Sequence, residues 1–262
     1  MQTGTVIAFI VSLLVQVGYP LGAILVYRRR AYTPWIVYLY GALIFALFQM
    51  FTWLPFSAFV DIVWGERVTS SAGAFVWLMA MATLTALIEE GGRVVGYRYL
   101  FRRSGLRLTW QKGVAFGLGH NAVETMWLIA GLTFVSFVAY LLAGPLFAGE
   151  LGGLSADAPG ASSLALLSAR SVTWTQPLVV ALERVLALPH QVAWALLVME
   201  SLASRQKRWF GFALLYHTSV AVIVPGLAQL AGFAVAETVN LLFAGLSVWI
   251  ILKLRDIAGQ RT

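Results

Sequence analysis

Residues 74–101 read AFVWLMAMATLTALIEEGGRVVGYRYLF. The first fifteen positions, 74–88, carry no charge, and the whole stretch exceeds the ~20 residues that cross ~30 Å of hydrocarbon. At 89–93, however, it carries EEGGR, two acids and an arginine inside an otherwise apolar run. The stretch therefore predicts a transmembrane helix with ionisable groups at membrane depth.

Working outward, six further apolar segments lie at about 4–27, 34–60, 110–143, 175–202, 209–231 and 234–252. Together they predict an all-α, polytopic membrane protein of about seven helices, with 1–262 forming a single transmembrane domain. The chain is 60% hydrophobic and only 11% charged, against roughly a quarter charged in soluble domains. The N-terminal apolar run lacks a basic n-region and is too long for a cleaved signal peptide, so it reads as the first span.

The net charge of +7 does not indicate a nucleic-acid partner, because the basic residues fall in short clusters between apolar runs. Arg28–Arg30 follow the first span; Arg102, Arg103, Arg107 and Lys112 follow the third. Arg205, Lys207 and Arg208 follow the fifth, and Lys253, Arg255 and Arg261 the seventh. The alternate loops hold only Arg67 and Arg170. This asymmetry predicts the N-terminus outside, the C-terminus cytoplasmic and a cell-membrane (plasma or inner) location. The longest loop, about 144–174, is then extracytoplasmic, and its LALL stretch could form a short interfacial helix.

All three histidines, His120, His190 and His217, fall within these spans, as do Glu89, Glu90, Arg93, Arg98, Glu124, Glu183 and Arg184. An ionisable group in hydrocarbon costs at least ~2.5 kcal/mol, so several together must face one another or water. With a rise of about 1.5 Å per residue, Glu89, Glu90, His120, Glu124, His190 and His217 fall within a slab about 10 Å thick. Glu89 and Arg93 are four apart, as are His120 and Glu124, so Arg93 can hold a carboxylate ionised and Glu124 can orient His120. Gly92 and Gly96, with Gly113 and Gly117, form small-xxx-small pairs that permit the third and fourth spans to approach closely. Glu183 and Arg184 can neutralise each other nearer the outer face, and Arg98 can reach the interface.

Carboxylates and neutral imidazoles in a shielded pocket suit water activation, with a general base and an oxyanion-stabilising partner. Three imidazoles, His120, His190 and His217, could alternatively hold zinc with an open fourth position. The chain has no cysteine, which excludes disulfides, thiolate metal sites and a cysteine nucleophile. It also lacks HExxH, the one-helix zinc protease motif.

The strings EEGGR at 89–93, GLGHNAVE at 117–124, ER at 183–184 with His190, and YH at 216–217 occur in that order along the chain. In this order they resemble the YhfC family of intramembrane proteases, which is grouped with the CAAX-processing and bacteriocin-processing (CPBP) and PrsW-type membrane proteases. The resemblance covers about 74–225 and implies a four-helix catalytic-like core there. It implies that Glu89 or Glu90 activates water, that Arg93 closes the first motif, and that His120 and His217 are the histidines of later motifs. In CPBP enzymes the last histidine is followed four residues on by Asn or Asp; here that position is Ala221, and after His190 it is Trp194. Asn121 or His190 then becomes the candidate oxyanion partner.

The reading that follows is an endopeptidase acting on a membrane protein or peptide in contact with lipid. By resemblance to the glutamate-dependent CPBP group it requires no cofactor, with zinc as the option if a metal is bound. Two other functions fit the same residues. A non-catalytic scaffold resembles the seven-helix scaffold subunit of gamma-secretase, and a proton or metal-ion transporter would use the carboxylates and histidines as a relay. No inverted repeat supports transport.

Overall fold

The structure is a computed structural model that describes residues 2–65, 68, 70–148 and 172–260. Among these residues there is no strand, and seven helices are long and apolar enough to cross a membrane. They are α1 (Thr3–Ala31), α2 (Trp35–Trp64), α3 (Ser71–Phe101), α4 (Trp110–Leu142), α5 (Thr175–Ala203), α6 (Lys207–Ala231) and α7 (Phe233–Gly259). Each coincides with one expected apolar segment, most running a few residues longer. The chain is a multi-pass membrane protein. Most of the expected 144–174 loop, including LALL, lies outside the described residues, and the α4 backbone stays helical to Ala148.

Local chemistry sets the helix ends. Arg28–Arg30 close α1, and Tyr32 with a φ of 50° leads into Thr33-Pro34 before α2. The Ser70 side chain accepts a hydrogen bond from the Gly73 amide, capping α3. Gly232, at a φ of 87°, separates α6 from α7.

Three spans contain π-helical stretches: Phe45–Trp53 in α2, Gly96–Phe101 in α3 and Glu124–Ile129 in α4. A π-turn inserts a residue into the helical repeat, so side chains beyond it rotate away from the register that i, i+4 spacing predicts.

The chain divides into two compact units. One comprises Met1–Leu21 with Thr125–Val185. Within it, Phe9 stacks on Phe137 at 5.1 Å, and the Gln2 amide donates to the Tyr140 hydroxyl at 2.9 Å. Glu183 and Arg184 belong to this unit, both half-buried. The other comprises Gly22–Glu124 with Leu186–Thr262. Its centre is the second half of α5, where every residue from His190 to Ser201 is buried. By contrast, Leu39, Phe51, Val76, Leu215 and Leu242 are exposed on surrounding helices, as lipid-facing positions are.

Helix approach in this second unit is closest between α2 and α4. A Cβ on Gly41 would lie 2.0 Å from the Phe116 carbonyl oxygen, and one on Gly119 would lie 2.0 Å from that of Tyr38. Only glycine permits these backbones to touch, and the contact falls directly beside His120. The expected glycine pairing between α3 and α4 is largely replaced. Gly92 faces Phe48 of α2, while Gly113 and Gly117 face α5 through Leu196, Met199 and Val192. Only Gly96 meets α4, against the Phe116 ring. Small-residue spacing shows that a helix can be approached closely, not which neighbour approaches it.

Candidate functional site

The site begins on α3. Glu89 and Glu90 stand four and three residues before Arg93, so one guanidinium reaches both. Arg93 Nη1 donates to Glu90 Oε1, and Nη2 donates to Glu89 Oε1 and to Gln191 Oε1 of α5. Glu90 and Arg93 are 0% exposed and Glu89 is 4% exposed, so this is an interior network, not an interfacial ion pair.

Two imidazoles complete it. His120 Nε2 lies 3.1 Å from Glu89 Oε1, and His217 Nδ1 lies 2.8 Å from Glu90 Oε1. Ionised carboxylates accept only, so each imidazole donates through that nitrogen and keeps a lone pair on the other. For His217 that lone pair is on Nε2, 3.9 Å from Glu89 Oε2. His120 Nδ1 is buried without a hydrogen-bond partner. Aromatic rings fix both orientations: Trp194 lies flat on His217 with centroids 3.9 Å apart, and Phe45 meets the His120 ring edge-on at 5.1 Å.

Two amides absent from the sequence reading enter here. Gln49, in the π-helical stretch of α2, donates to Glu89 Oε2 at 2.6 Å. Gln191 accepts from Arg93 and donates to Glu124 Oε2 at 2.6 Å, linking α3, α5 and α4. Their only signal in the sequence is a lone amide in an apolar run, FALFQMF at 45–51 and LPHQVAW at 188–194.

The expected hydrogen bond from Glu124 to His120 is corrected. His120 uses Nε2 for Glu89, its Nδ1 has no partner, and Glu124 binds Gln191 instead. The physical reason is competition for partners: Glu89 reaches the His120 ring from α3, and the Gln191 amide of α5 takes the Glu124 carboxylate. Asn121 is fully buried beside His120 on α4. His190 departs further from expectation. It is buried, but its Nδ1 bonds Ser247 Oγ at 2.8 Å and its Nε2 bonds Asn240 Oδ1 at 3.2 Å, both on α7. Tyr216 joins this second network through Ser247 and the Phe243 carbonyl. The three-histidine set is therefore not the grouping that forms. Among the described residues, Glu89, Glu90 and His217 offer ligand atoms within 4.8 Å of one another.

That donor set fits a metal ion. Two carboxylates and one imidazole are donors that zinc accepts. Glu90 Oε2 is buried without a hydrogen-bond partner, an oxygen with unused acceptor capacity. Charge points the same way: Arg93 offsets one of the two adjacent carboxylates, leaving a buried negative excess that a proton or a cation must balance.

The comparisons with known proteins agree with this architecture. No solved structure matches the chain. It is 27% identical over 247 residues, covering 91% of this chain and 92% of the relative, to the uncharacterized membrane protein YhfC of Bacillus subtilis (strain 168). The sequence model of the YhfC intramembrane metalloprotease family matches residues 11–242, and the chain belongs to that family.

Proposed function

We propose that the chain is an intramembrane endopeptidase in which Glu89, Glu90, His120 and His217 handle a water and the peptide bond it attacks. The observation that carries the reading is the buried convergence of these four side chains from α3, α4 and α6 around Arg93. The Glu90–His217 pair has the form of an oriented base: Glu90 holds Nδ1–H, so Nε2 presents its lone pair. Water gives a proton to His217 Nε2 or to Glu89, and its oxygen bonds to the carbonyl carbon. The proton then passes to the departing amine as the C–N bond breaks. The Gln49 amide, which keeps a second N–H beside the one it gives Glu89, is the nearby neutral donor that can face an oxyanion, the part that Asn or Asp plays where this chain has Ala221.

Glu89, Glu90 and His217 are the residues that would hold a metal. When bound, it would polarise the carbonyl and acidify water. Substrate helices must unwind locally, since a helical peptide bond is shielded by its own hydrogen bonds.

The test is cleavage of a membrane-embedded peptide by purified protein in proteoliposomes. Glu90→Ala, His217→Ala, Glu89→Ala and His120→Ala should each lose cleavage by about a hundredfold or more, the worth of one acid–base group. Undiminished cleavage in all four rejects the assignment.

A second reading is favoured by Arg93, whose guanidinium occupies one oxygen of each acid. A non-catalytic scaffold would use such saturation for packing. It predicts no cleavage by the unaltered protein and stable co-purification with another membrane protein.

A further inference from the structure

Beyond the acidic cluster, α3 leads to a cavity of opposite charge. It has a volume of about 1120 Å³ and is lined by Arg98, Arg102, Arg103 and Arg205, with Tyr97 and Leu202 on its walls. The four arginines come from the end of α3, whose helical backbone runs on through Arg102 and Arg103, and from the turn between α5 and α6. None forms an ion pair with an acid among the described residues. Arg205 also holds a φ of 58°, a backbone region that favours glycine or asparagine. An arginine there directs a cation at the cavity from a strained turn. Arg98 lies eight residues beyond Glu90 on the same helix, about 12 Å along its axis. This is the end of the bundle bearing the basic loops, which the charge asymmetry assigns to the leaflet that carries anionic lipid.

We propose that this cavity binds a phosphate group, supplied by the headgroup of an anionic phospholipid or by a soluble phosphate compound. Positive-inside topology alone needs basic residues anywhere in these loops. It does not need four of them around one cavity. Planar guanidinium forks match phosphate oxygens two at a time, and four cations exceed what a single carboxylate would balance. The lipid source has the advantage of local concentration, because the headgroup region lies at the same depth.

The experiment uses the full chain, purified, delipidated and placed in nanodiscs of phosphatidylcholine with or without phosphatidylglycerol. Bound lipid is counted by native mass spectrometry. A parallel arm in detergent follows the melting temperature with added inorganic phosphate. Selective retention of phosphatidylglycerol identifies a lipid headgroup; stabilisation by inorganic phosphate without that selectivity identifies a soluble source. Arg98→Gln with Arg205→Gln should weaken either by about thirtyfold, each arginine contributing about fivefold. If that variant does not accumulate, Arg98→Lys with Arg205→Lys keeps the charges and should still weaken binding by about threefold through loss of the fork. Equal retention of both lipids together with no response to phosphate overturns the proposal. So does a variant that binds as the unaltered protein does.

Discussion

Trp194 and His217 lie face to face, ring centroids 3.9 Å apart and planes within 7°. The stack joins α5 to α6 and holds the imidazole in the plane that points Nδ1 at Glu90. The same indole ring lies 5.9 Å from the Arg93 guanidinium carbon, so one side chain touches both the imidazole and the cation that organise the acids.

Trp194→Phe should therefore keep part of the stack and Trp194→Ala none of it. An aromatic pair of this kind contributes about 0.5–1.5 kcal/mol beyond area burial, so Trp194→Phe should cost up to about tenfold in cleavage rate and Trp194→Ala more. Cleavage measured alongside melting temperature checks this. Full activity in Trp194→Ala would show that the imidazole is held by Glu90 alone.

Removing Arg93 strands two carboxylates inside the bundle. Arg93→Ala should destabilise the fold by about 3–5 kcal/mol, seen as a large fall in melting temperature in detergent. Arg93→Lys should recover only part of that loss, because an ammonium cannot fork to Glu89, Glu90 and Gln191 together. The Arg93→Ala, Glu90→Gln double variant should be more stable than Arg93→Ala, since one stranded charge has gone.

The α2–α4 crossing depends on missing side chains. Gly119→Ala places a Cβ 2.0 Å from the Tyr38 carbonyl oxygen, and Gly41→Ala does the same against Phe116. Backbone cannot move aside as a side-chain tip can, so each should cost at least about 1–3 kcal/mol. Gly245→Ala, with nothing within 4 Å of the added carbon, should leave the melting temperature unchanged.

Metal content separates two possible ligand sets. Elemental analysis of the purified protein should find a divalent ion that Glu90→Ala and His217→Ala each release. His190→Ala should retain it, because both His190 ring nitrogens are bonded to α7. Loss of metal in His190→Ala with retention in Glu90→Ala would restore the three-histidine set.

Gln191→Leu tests the link from Arg93 to Glu124. It leaves the half-buried Glu124 carboxylate without its amide donor and the buried Arg93 guanidinium without its amide acceptor, a loss of about 1–3 kcal/mol. Thermal unfolding should report it, and Gln191→Glu should be worse still, since it adds a negative charge beside Glu124.

The seven spans were legible in the sequence because hydropathy is a property of each segment by itself. That Glu89, Glu90, His120 and His217 share one level of the bundle was legible for the same reason: a helix rises by a constant ~1.5 Å per residue. What a helix cannot record alone is the direction its side chains face. His190 stacks on the same Trp194 as His217 yet turns to Ser247 and Asn240 on α7. Glu124, four residues after His120, turns to Gln191 because that amide reaches it from α5 while Glu89 holds the imidazole. Gln49 joins Glu89 although nothing distinguishes it from any amide in an apolar run. Span and level along the axis follow from one helix by itself, whereas azimuth and partnership follow from how helices pack, and only the tertiary structure decided those.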